Sequence, residues 1–130
     1  MSSGVGALQA GAVAAGSALG ALARWAAGMA MNGLWPVFPL GTLFVNCLGG
    51  LLIGIAMVWF QRSPDELWRL LLVTGFLGGF TTFSSFSAES LGLLQQGEFG
   101  PAVAHSAAHL LGALAFTALG YGLARLVLRG

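Results

Sequence analysis

Of 130 residues, 57% are hydrophobic and 7% are charged, where a soluble domain carries roughly a quarter charged residues. Five arginines (Arg24, Arg62, Arg69, Arg125 and Arg129) stand against Asp65, Glu66, Glu89 and Glu98 for a net charge of +1, and there is no lysine. This composition excludes a soluble single core and any basic surface for nucleic acid. Charge-free runs cover Ser2–Ala23, Trp25–Gln61, Leu70–Ala88 and Phe99–Ala124, each at least as long as the roughly 17–25 residues that cross a bilayer. No basic segment precedes the first run, and similar runs follow it, so it does not read as a cleaved signal peptide. The one cysteine, Cys47, lies in an apolar run, which rules out an intramolecular disulfide or a multi-cysteine zinc cluster.

The first predicted helix covers about residues 4–31 and ends before the break bracketed by Pro36 and Pro39. The second spans Leu40–Phe60 and stops at the polar turn Ser63–Glu66. The third spans about 67–95 and the fourth about 101–128, separated by Gly97–Pro101. Residues 1–130 thus form one all-α membrane domain, with both termini on one side. Trp35, Trp59 and Trp68 fall near helix ends, where an amphipathic ring suits the headgroup region.

Twenty-one glycines suit close helix approach in lipid, where association rests on contact across small residues. Gly16 and Gly20, Gly50 and Gly54, and Gly75 and Gly79 form three GxxxG pairs, and Gly112 and Gly120 sit eight apart on the fourth helix. In the third helix, Thr74–Phe86 sets adjacent glycines beside a hydroxyl cluster at mid-membrane depth, so a break in that helix is expected. Non-helical backbone survives there only when buried in protein or lining a cavity, and its freed carbonyls suit a hard monovalent cation.

Several side chains are ones that lipid would not choose. Asn46 shares a helix face with Thr42, Gly50 and Gly54; it reads either as a bond between helices or as a pore-lining donor to an anion. Phe80, Phe83 and Phe86 recur every three residues beside Thr82 and Ser85. This stripe is either core packing or a row of positive ring edges along an anion path. Among ionisable groups, Arg24 either snorkels to the surface or sets a positive potential at a pore mouth. Glu89 reads as a structural hydrogen-bonding group. His105 and His109 share a face at i and i+4, but sequence offers no evident third ligand for zinc. No catalytic grouping, phosphate-binding loop or cofactor motif appears, so the chain does not read as an enzyme. Uncharged donors at mid-depth suit passage of a small ion.

The segments Gly41–Gly50 and Gly75–Phe86 resemble the two signatures of Fluc (CrcB-type) fluoride channels, and the likeness extends over the whole chain in length and layout, with the Arg24–Trp25 pair in its expected place. The resemblance implies a fluoride-selective channel in the cell (inner) membrane, an antiparallel dual-topology homodimer surrounded by lipid, with two pores and a structural sodium ion. Residue by residue, it implies Phe83, Phe86 and Asn46 as pore residues and Gly78 and Thr81 as sodium ligands through backbone carbonyls. Thr82, Ser84 and Ser85 are implied members of the polar track, with Arg24 and His109 beside the pore. His105 and His109 depart from the tyrosine and serine often found there, as Ala113 does from a hydroxyl.

Two other classes remain open at this point: four-helix dual-topology multidrug exporters, which use a Glu in the first helix that is missing here, and a non-transporting assembly subunit. Orientation also divides the expectations. Arg62, Arg69, Arg125 and Arg129 lie on the side of the termini against Arg24 on the other, which places the termini in the cytoplasm by the positive-inside rule. A dual-topology homodimer needs both orientations, whereas a pair of fixed-topology relatives would form a heterodimer; the intact motifs favour the homodimer.

Overall fold

A computed structural model describes residues 3–129. Its elements are α1 (Ser3–Met31), α2 (Leu40–Arg62), α3 (Glu66–Arg69), a π-helical stretch (Leu70–Leu77), α4 (Gly78–Phe80), α5 (Phe83–Gln95) and α6 (Phe99–Val127). α3 through α5 form one interrupted span, so four helical spans are long and apolar enough to cross a membrane. The expected boundaries hold to within a few residues.

Local chemistry explains the ends. Asp65 accepts a hydrogen bond from the Trp68 N–H at 3.1 Å and caps α3. α2 starts after Pro39 without a cap of its own; Asn32 Oδ1, from the end of the preceding helix, accepts the Thr42 N–H at 3.2 Å. α5 ends in a Schellman motif, in which the Glu98 N–H reaches the Leu93 carbonyl and the Gly97 N–H the Leu94 carbonyl. Gly97 has φ 77° there, a conformation that suits a residue without Cβ.

Two seams hold the bundle. In the first, α1 lies against the π-helical stretch and α4. A Cβ on Gly16 or Gly20 would strike the backbone of Leu71 or Phe76, and one on Gly79 the backbone of Ser17. In the second, α2 lies against α6: Gly50 and Gly54 meet the backbone at Ala113 and Thr117, and Gly120 meets Leu51. All three GxxxG pairs are therefore packing surfaces, while Leu19, Leu22, Leu111 and Leu114 are exposed on the outside of the bundle.

The break in the third span falls at Thr81 and Thr82, whose backbones are extended (φ −88°, ψ 159° and φ −151°, ψ 112°). It corrects one expectation. Phe80, Phe83 and Phe86 do not form a continuous stripe, because two extended residues separate Phe80 from the others and turn the chain. Phe80 is buried and stacks on Phe76 at 5.5 Å, while Phe83 and Phe86 pack edge to face at 5.2 Å and 77°.

Candidate functional site

The break frees backbone groups that lipid cannot satisfy, and side chains from other helices take them. The Thr82 N–H, which in a continuous helix would close on the Gly78 carbonyl, donates instead to Asn46 Oδ1 at 2.8 Å. Asn46 Nδ2 returns a bond to the Thr82 carbonyl at 3.0 Å. The amide thus pairs with Thr82 as a neighbouring strand would. Arg24 Nε donates to the Gly79 carbonyl at 3.0 Å and so satisfies an acceptor at the break. Thr82 Oγ1 caps α5 by accepting the Ser85 N–H at 3.1 Å and lies 3.3 Å from Ser84 Oγ. Thr81 Oγ1 donates to the Leu77 carbonyl at 2.8 Å.

A cavity of about 430 Å³ opens beside the break, with Asn46, Thr81, Thr82, Phe83, Phe86 and His109 among its walls. Gly78 lies on the same wall. Phe83 is 71% exposed and Phe86 buried, so this pair leads from the outer face of the chain inward. Thr82 also borders a second cavity of about 380 Å³, where Arg24, Asn32, Thr42, Ser85 and Glu89 bring mixed charge and hydroxyls together. The structure therefore places Thr82 between two spaces, a mostly apolar one edged by phenylalanines and a mixed one bordered by an arginine and an acid.

Behind Phe86 runs an aromatic column. Phe86 stacks on His109 at 4.6 Å and on His105 at 5.6 Å, and Phe38 meets His105 edge-on at 5.0 Å. Phe38, set between the two prolines of the α1–α2 loop, is buried. Sequence reasoning did not single it out, and its only signal was a large apolar residue in a proline-rich loop.

His105 is fully buried and its Nε2 lies 3.0 Å from Glu89 Oε1. The other carboxylate oxygen accepts from Thr42 Oγ1 at 2.6 Å, so the structural reading of Glu89 matches its geometry. Ser90 Oγ lies 2.7 Å from His105 Nδ1 and 3.0 Å from Ser106 Oγ, which completes a relay of hydroxyls that spacing alone did not reveal. Asn46 Nδ2 lies 3.0 Å from His109 Nδ1, whereas the buried Nε2 of His109 has no partner among the described residues. Glu89, His105 and His109 bring ligand-type atoms within 4.8 Å of one another. A third ligand-type group is thus at hand, contrary to the expectation from helical spacing, because it comes from α5 rather than α6.

Known proteins match this sequence over most of the chain. A family model described as "CrcB-like protein, Camphor Resistance (CrcB)" matches residues 11–121. A protein of Aromatoleum aromaticum named fluoride-specific ion channel FluC is 50% identical over 112 residues, covering 85% of this chain and 86% of the relative. Relatives of the same name from Chromohalobacter salexigens (53% over 111 residues, 84% of each chain) and Burkholderia lata (51% over 117 residues, 88% and 91%) are similarly close. With both signature segments inside the matched region and the break of the third span inside the second of them, the chain belongs to the CrcB-like family.

Proposed function

We propose that this protein is a fluoride channel of the cell membrane, through which the anion leaves the cytoplasm by passive electrodiffusion. The observation that carries this reading is the cavity at the break, where the edge-to-face pair Phe83 and Phe86 adjoins the hydroxyl of Thr82, in a chain about half identical to proteins named for fluoride. Ring edges are the positive part of the aromatic quadrupole and attract an anion without the deep trap of a lysine. Ser84, Ser85 and Thr82 supply hydroxyls along the way, Asn46 and His109 form part of the wall, and Arg24 sets a positive potential at the second cavity. Neutral HF crosses membranes and ionises in a less acidic cytoplasm; a negative interior then drives fluoride outward with about 2.3 kcal/mol per 100 mV.

The functional unit is an antiparallel homodimer in lipid. Support comes from the exposure of Phe83 and Gly78 on the open side of the cavity, where a second copy would close the wall. A structural sodium ion suits the same place, because Asn46 takes the N–H that would have occupied the Gly78 carbonyl, and Gly78 and Thr81 carbonyls are hard oxygen donors. The ion would tie the two broken spans together.

Proteoliposomes loaded with fluoride or chloride test the reading. Rapid fluoride efflux with chloride retained is expected, since the larger anion accepts weaker hydrogen bonds. Equal efflux of both anions, or none, would overturn it. Labelling of terminal cysteines in intact cells, in a Cys47→Ala background, tests the dimer: labelling from both sides is expected, and labelling from one side alone would point to a fixed-topology partner.

A further inference from the structure

The orientation of the Asn46 amide is set by the backbone. An N–H can only donate and a carbonyl can only accept, so Thr82 requires Oδ1 against its nitrogen and Nδ2 against its oxygen. The second hydrogen of Nδ2 is then aimed at His109 Nδ1, 3.0 Å away. Facing a donor, Nδ1 must be the unprotonated nitrogen of a neutral ring, and the proton resides on Nε2. That nitrogen is buried on a side chain only 3% exposed and has no hydrogen-bond partner among the described residues. A buried donor without a partner costs free energy unless something that enters the site takes the hydrogen bond.

The same logic disfavours a metal ion on His109. Coordination through Nε2 would move the proton to Nδ1, where it would confront the Asn46 donor. It also removes Asn46 as a direct ligand of an anion, since both its amide hydrogens are committed inside the chain. Glu89 lies close by, but each of its oxygens already has a partner and it shares the second cavity with Arg24.

We propose that Asn46 is a positioning residue that locks His109 as its Nε2–H tautomer, and that this N–H donates a hydrogen bond to the anion in the cavity lined by Phe83 and Phe86. The inference rests on the fluoride-channel reading and assigns the roles of two residues within it. One backbone break thereby orients an amide, the amide orients a ring proton, and the ring proton meets the ion.

Nitrogen-15 NMR of histidine-labelled protein in bilayers tests the lock directly, since the chain has only two histidines and His109→Gln assigns the signals. The expected result is a neutral His109 protonated on Nε2, whose Nε2 resonance moves with sodium fluoride and not with sodium chloride. Flux supplies the second measurement. His109→Phe keeps a ring against Phe86 but removes the donor, and fluoride efflux should fall about tenfold or more, the scale of one hydrogen bond to a charged group. His109→Gln, whose amide reaches near the Nε2 position, should recover much of it. A proton on Nδ1, or wild-type efflux from His109→Phe, would overturn the inference. So would an Nε2 signal that ignores fluoride but follows Glu89→Gln, the signature of a water bridging these two residues. Absence of fluoride efflux from the unmodified protein would overturn the channel reading along with it; efflux with an Nε2 signal indifferent to fluoride would overturn this inference alone.

Discussion

Before its break, the third span meets α1 through glycines that bring backbone onto backbone; after it, the same span is tied to α2 and α6 by side-chain hydrogen bonds. Gly16, Gly20, Gly75 and Gly79 make the first contact backbone to backbone, and Arg24 adds a single bond to the Gly79 carbonyl where the break begins. Thr42, Glu89, Ser90 and His105 make the second, in a chain of bonds between 2.6 and 3.0 Å. The difference follows from what each half must do. The first half needs only to be held, and close packing of small residues does that in lipid. The second half carries hydroxyls and an acid at membrane depth and faces the two histidines of α6, so its contacts must keep those polar groups satisfied.

The glycine seam is the more sensitive of the two contacts. Gly20→Val would place a branched side chain on the Phe76 carbonyl and the Phe80 nitrogen, backbone atoms that cannot rotate away. Destabilisation of about 3 kcal/mol or more is expected, at the upper end of overpacking, read as loss of a monodisperse peak in gel filtration. A stable, well-folded variant would show that the seam is looser than its geometry.

Asn46→Ala comes next. It strands the Thr82 N–H and removes a partner from its carbonyl, with an expected cost of about 2–4 kcal/mol for unsatisfied backbone groups. Denaturant unfolding in detergent measures it, and a fall in fluoride flux should accompany it.

Smaller effects sharpen the second half. Thr42→Val leaves Glu89 one donor short and should cost about 1 kcal/mol, the scale of one hydrogen bond. Because both touch one carboxylate, Thr42→Val and Glu89→Gln should be non-additive by about 0.5 kcal/mol or more in a double-mutant cycle. Strict additivity would mean that the network is not a unit.

Outside both halves, Arg69 pairs with Glu66 at 3.2 Å with side chains 45% and 59% exposed. Arg69→Ala should shift stability by less than about 0.5 kcal/mol, since exposed pairs are screened. A larger loss would mean that this turn anchors the third span.

The four spans, the loops between them, the glycine seams and the neighbourhood of the break are legible in the sequence alone. These are local properties: a run's length without charge, a spacing of four, or two glycines beside hydroxyls can be counted along the chain. The sequence also shows which polar residues lie at membrane depth, but not to whom they are bonded. Only the tertiary structure brought Arg24 to the Gly79 carbonyl, 55 residues away, Asn46 to Thr82 across 36, and Thr42 to Glu89 across 47. It alone divided the phenylalanine stripe at Thr81 and Thr82, set Phe38 over His105, and made Glu89 a neighbour of both histidines. Apolar burial has no direction and is therefore legible as composition and period. A hydrogen bond requires a donor and an acceptor within about 3 Å at a favourable angle, a condition that exists only after the helices have docked.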